Sequence, residues 1–204
     1  MRAVLLLGLL LGATTAPAAE DGWRQVVEQD GIRVDQRTVT GRGLPMFRAL
    51  GRIDAPLDDV LAVILDVERQ TEWMPRFEEI RVLRSDGPLH AVFYLRMGMP
   101  WPVSDRDAVL ATETRHLDGG RTLTRFWLAD DEGVEPVSGI VRMAALQGHY
   151  ALRPIDDGTT EVEYQVDADP GGLIPDWLAA RTATDDPLQT LRNLRCRATA
   201  ARTR

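Results

Sequence analysis

The chain has 204 residues, 44% of them hydrophobic and 27% charged, with 31 acidic against 24 basic residues and a formal net charge of −7. That length accommodates a targeting segment and one domain with a real core, and the acidic balance argues against a nucleic-acid partner. One cysteine, Cys196, excludes an internal disulfide, and no Cys/His spacing matches a metal site, so neither metal nor cofactor is expected.

At the start, Met1-Arg2 precedes the apolar run AVLLLGLLLGA and then the small-residue site Ala16-Pro17-Ala18. A membrane span needs about 20 apolar residues and this run has roughly half of that. The layout predicts a signal peptide over residues 1–18 with cleavage near Ala18 or Ala19, export, a periplasmic location and a single domain over residues 19–204.

Three alternating runs follow, Trp23 to Gln29, Ile32 to Val39 and Phe47 to Ile53, the first two separated by Asp30-Gly31. Alternation marks half-buried strands, and Asp-Gly between them marks a tight hairpin. Leu57, Val60, Leu61, Ile64 and Leu65 share one helical face, with Asp54 expected as the N-cap and the end near Asp66. A second short helix is predicted over Val67 to Trp73, closed by Pro75.

Strand signals resume at Phe77 to Arg84, Leu89 to Met97, Arg106 to Arg115, Arg121 to Leu128, Val141 to Arg153 and Thr160 to Ala168, with Gly-containing turns at most of the breaks. The count is nine strands. Asp169-Pro170-Gly171-Gly172 stops the last of them. A helix then begins, with Ile174, Trp177 and Leu178 on one face and Leu188, Leu191 and Leu194 continuing it after an expected interruption at Pro187. Strands in series with helices in the middle and at the end read as α+β, an antiparallel sheet that curls, with the last helix on its concave side.

Three sets of residues carry a family likeness: MPWPVSDRD from Met99 to Asp107, the spaced Gly148, Tyr150, Leu152 and Pro154, and the DPGG-x-IP-x-WL run from Asp169 to Leu178. Together and in this order, over about Trp23 to Arg197, they resemble the START family, the steroidogenic-acute-regulatory-protein-related lipid-transfer domains. The resemblance implies a helix-grip fold, a curved antiparallel sheet clasping a long C-terminal helix, with an apolar tunnel holding one lipid. Joined to the signal layout, it gives the expectation of an exported lipid-binding or lipid-transfer protein, acting as a monomer with transient membrane contact. Related helix-grip proteins include polyketide cyclases and aromatases, so an enzyme using the same cavity is the alternative.

A lipid carrier has a physical rationale. Exposing roughly 30 methylenes to water costs about 0.8 kcal/mol each, on the order of 20 kcal/mol in all, so transfer needs a closed apolar container. In the strand Leu89 to Met97 the odd face is wholly apolar, and Ala108, Leu110 and Thr112 share a face of the next. Phe93, Leu95, Met97, Leu110, Thr112, Trp177 and Leu178 are the expected ligand-binding wall; a filled core is the equally simple reading. Gly98 to Ser104, carrying Met99 and Trp101 between glycine and prolines, is either a gate over the tunnel or a rigid turn. Arg106 shares the parity of Leu110 and Asp107 the opposite one, so Arg106 either meets a lipid phosphate or anchors the loop by a salt bridge. His90, His116 and His149 are scattered and no nucleophile has a base beside it, so no catalytic residue is expected. After Asp186 the only charges are Arg192, Arg195, Arg197, Arg202 and Arg204, a basic end read first as a solvated tail.

Overall fold

A computed structural model describes residues 22–40, 44–130 and 133–201, and within the last helix it excludes the side chains of residues 176, 177, 179–181, 183 and 201. The expected signal segment with Ala18 and Ala19, and Arg202 and Arg204, lie outside the described residues.

The strands are β1 (Arg24–Gln29), β2 (Ile32–Arg37), β3 (Met46–Ile53), β4 (Phe77–Ser85), β5 (His90–Met97), β6 (Arg106–His116), β7 (Thr122–Leu128), β8 (Val141–Arg142), β9 (Ala145–Asp156) and β10 (Thr159–Asp169). Nine of them form one curved antiparallel sheet in the order β1-β2-β3-β10-β9-β7-β6-β5-β4. The remaining one, β8, runs parallel to the start of β6. This is the helix-grip architecture. Asp30 and Gly31, both at positive φ, make the two-residue hairpin between β1 and β2 that the sequence predicts.

The structure has ten strands rather than nine because Val141 to Arg153 is not one strand. Val141 and Arg142 pair with Arg106 and Asp107, and the Met143 N–H still bonds Asp107 O. The Ala144 N–H turns instead to Asp169 O and starts the β9 ladder with β10. A change of pairing partner leaves no mark in an apolar run.

Helix α1 (Leu57–Leu65) buries Val60, Leu61 and Ile64, as its spacing predicts. Its N-cap is Pro56, not Asp54, and no side chain caps it. The N–H groups of Asp59 and Val60 both reach Pro56 O, so the first turn starts two residues beyond Asp54. A 3-10 helix, Val67–Glu72, follows.

Helix α2 (Asp176–Ala201) is one helix and runs through Pro187 rather than breaking there. Proline removes one intrahelical bond and crowds the preceding turn, so packing on both sides must hold the helix. Leu178 is buried before it, and Leu188, Leu191, Leu194 and Ala198 are buried after it. The arginines expected as a tail are instead ties: Arg192 bonds the Asp30 carboxylate, Arg195 the carbonyls of Asp30 and Arg52, and Arg197 the Glu72 carboxylate. The amide of Asn193 adds a 2.6 Å bond to Trp73 O.

The apolar interior falls into two clusters. One joins the C-terminal half of α2 and α1 to β2, β3, β9 and β10, with Ile32, Val34, Tyr150 and Leu194 in it; the other centres on Phe93, Leu95, Ala108 and Leu110. Phe126 and Val166 pack against both.

Candidate functional site

Between the two clusters lies a cavity of about 210 Å³. Its sheet wall follows from strand parity. On β5 and β6, Ala91 faces Thr112 and Phe93 faces Leu110 across the ladder, and on β7 and β9, Phe126 stands opposite Gly148. A Cβ on Gly148 would lie 2.5 Å from the Phe126 ring and 2.1 Å from Gln165 O, so the absence of a side chain there lets the ring sit over the sheet. Val67, Gln70 and Met74 close one side, and Thr182, Asp186, Pro187 and Thr190 of α2 close another.

Of the predicted wall residues, Phe93, Met97, Leu110 and Thr112 line this cavity. Leu95 is fully buried against its partner Ala108 in the second cluster and is not part of the wall. Leu178 is buried but likewise lies off the cavity, and the Trp177 side chain is outside the described residues.

Trp101 does not face the cavity: it is 91% exposed. The Val103 N–H closes onto Pro100 O at 3.0 Å and the Met99 N–H onto the Asp105 carboxylate, a tight turn that throws the indole outward. Arg106 anchors its loop through backbone oxygens rather than through the expected salt bridge. Only 2% exposed, it donates to the backbone oxygens of Ser104, Pro170 (3.2 Å) and Gly171 (2.9 Å), and it borders a separate shallow groove with Pro102, Val141 and Leu173. Carbonyl dipoles take the place of a carboxylate, and burial lowers its pKa. Asp107 points the other way and takes two bonds from Arg142, at 2.7 and 3.2 Å. His90 and His116 lie at exposed strand ends, while His149 pairs with Glu163.

Sequence reasoning missed the charged pair of the cavity. Arg76 donates through Nε to Asp186 Oδ2 at 2.8 Å, the two being 24% and 32% exposed, and both line the cavity. They are 110 positions apart, and no periodicity joins a turn residue to a helix residue. Burial pushes the Asp186 carboxyl above the usual aspartate range, with Arg76 opposing it. Tyr150 and Tyr164 stack with centroids 4.7 Å apart, and burial raises both phenols, so they stay protonated at neutral pH. Their inward parity was readable in the strands. Among the described residues, no cluster of His, Cys, Asp or Glu is arranged to hold a metal ion.

A curved antiparallel sheet, a long C-terminal helix across it and an apolar cavity beside that helix define a helix-grip domain. The START domain profile matches residues 13–192, and the chain belongs to that family. It is 34% identical over 195 residues to the uncharacterized protein PA1579 of Pseudomonas aeruginosa, covering 96% of this chain and 95% of that one. With the phosphatidylcholine transfer protein of Rattus norvegicus it shares 26% identity over 160 residues, 76% of this chain and 74% of that one. Among solved structures, a STAR-related lipid transfer protein fragment from Xanthomonas axonopodis superposes with a TM-score of 0.79 at 34% identity, over 88% of this chain and 99% of that one.

Proposed function

We propose that this protein is an exported, periplasmic carrier that holds one hydrophobic ligand, a membrane lipid or its like, in the cavity between sheet and α2. The observation that carries the reading is the hollow between the two apolar clusters, walled by Phe93, Leu110, Phe126 and Leu146 and not filled by any of the described side chains. It exceeds the ~150 Å³ apolar void that takes up benzene, so an unoccupied cavity would sacrifice many dispersion contacts. The Gly98 to Ser104 turn beside the Asp169 to Gly172 turn is the proposed membrane-facing end, with Trp101 and Leu173 at 91% and 94% exposure as its contacts. The carrier acts as a monomer.

A cyclase-like enzyme has less in its favour. Among the described residues the titratable side chains on the cavity wall are Arg76, Asp186, Tyr150 and Tyr164, and the first two are paired while the phenols are held neutral. Extraction and mass spectrometry of protein purified from the periplasm tests the carrier reading. One intact lipid per chain is expected; protein that arrives empty and takes up no lipid from vesicles overturns it.

A further inference from the structure

We infer that Arg76 and Asp186 form the polar pole of the cavity and that Arg76 binds the oxyanion head, carboxylate or phosphate, of a single-chain amphiphile. The inference rests on the carrier reading and names its ligand class. Three observations lead to it.

The first is donor surplus. Arg76 uses Nε on Asp186, and neither terminal guanidinium nitrogen has a partner among the described residues. A guanidinium offers a planar fork that fits a carboxylate or a phosphate with two parallel bonds. The nearby hydroxyls of Thr182 and Thr190 already donate to helix carbonyls, Leu178 O and Asp186 O. Arg76 therefore keeps guanidinium donors to offer a ligand.

The second is position. Arg76 and Asp186 keep a quarter to a third of their surface in solvent while lining a mostly apolar space. A head group held there stays partly hydrated while its tail runs inward between Phe93, Leu110 and Phe126, which spares it the full cost of burying a charge. The volume, about 210 Å³, is below the roughly 300–1,000 Å³ of pockets for drug-sized ligands, which suits one chain rather than two.

The third is backbone geometry. Arg76 sits at φ +65°, a left-handed conformation that non-glycine residues rarely adopt. Its carbonyl takes the Gly98 N–H at 2.9 Å, at the base of the Gly98 to Ser104 turn. Such strain is retained where surrounding structure and function hold it. Here it aims the side chain at α2 while the backbone holds the turn.

Asp186 is then an internal competitor for Arg76, which makes the test two-sided. Displacement of a neutral apolar fluorophore is measured for palmitate, monohexadecyl phosphate and hexadecanol against wild type, Arg76→Met and Asp186→Asn. Wild type is expected to bind the two anions at least tenfold more tightly than the alcohol. In Arg76→Met the preference falls to about one, and in Asp186→Asn it rises several-fold. Palmitate and the phosphate ester together tell which oxyanion is preferred, and acetate or inorganic phosphate displacing the probe alone would overturn the single-chain assignment. A preference that survives Arg76→Met, or uptake of dipalmitoylphosphatidylcholine with none of palmitate, also overturns the inference. If the fluorophore itself finds no cavity in any variant, it is the carrier reading that fails.

Discussion

Arg106 and Gly171, 65 positions apart, are joined by a 2.9 Å hydrogen bond from Nη2 to the backbone oxygen. Through this bond and those to Ser104 and Pro170, one buried guanidinium fastens the turn before β6 to the turn before α2. The two segments that end in Trp101 and Leu173 therefore share one anchor.

Replacing Arg106 with methionine keeps most of the apolar stem but strands the carbonyls it served. A buried acceptor without a partner costs about 1–3 kcal/mol. Arg106→Met is expected to lose roughly 2–4 kcal/mol in urea unfolding, more than Arg106→Lys, since an ammonium reproduces part of the donor set but not the fork. Equal stability of wild type and Arg106→Met would contradict the anchoring role.

Gly148 is the second test. A methyl group there meets Gln165 O at 2.1 Å and the Phe126 ring at 2.5 Å. The backbone oxygen has little room to yield, so the ring is driven toward the cavity. Gly148→Ala is expected to cost about 1–3 kcal/mol and to weaken uptake of an apolar fluorophore as well. Thermal unfolding and fluorophore titration measure the two effects separately.

Trp101 separates stability from transfer. At 91% exposure its truncation to alanine should change stability by no more than about 0.5 kcal/mol. If the turn docks on membranes, the indole belongs at the interface, and Trp101→Ala should slow lipid transfer between vesicles roughly tenfold, the equivalent of about 1.4 kcal/mol. An unchanged transfer rate would remove the turn from the docking surface.

Glu72 supplies a pH dependence. Its bond from Arg69, and then that from Arg197 of α2, lower its pKa from 4.5 to about 2. A carboxyl lowered in the folded state adds stability that is fully present above the unfolded value and is lost as pH falls through the folded one. Stability should therefore decline between about pH 5 and pH 2, and Glu72→Gln should flatten that limb, its small deficit against wild type being full at pH 7 and vanishing near pH 2. The effect is small because the pair is exposed. Urea midpoints across that range measure it.

Much of the fold was legible because its determinants are local. Period-2 alternation sets the faces of β5 and β6, so spacing alone puts Phe93, Met97, Leu110 and Thr112 on one side, and Asp30-Gly31 locates the first hairpin because both residues adopt positive φ. The order of strands and helices and the motif run from Asp169 to Leu178 carried the family likeness. Local rules erred where a neighbour in space decided the outcome. Asp54 had the chemistry of a cap and Pro187 that of a break, yet the first turn of α1 starts from Pro56, and packing on both flanks carries α2 through the proline.

Sequence by itself therefore determined which face of each strand is apolar, where the chain turns, and that a helix closes the end, since each of these is fixed within a few residues by side-chain volume and backbone freedom. The tertiary structure alone decided which charges meet. Arg76 found Asp186 across 110 positions, Arg106 found carbonyls instead of an acid, and β8 parted from β9. Electrostatic partners and ladder exchanges depend on distances through space, and chain spacing does not encode those until the sheet has curved and the helix has been laid across it.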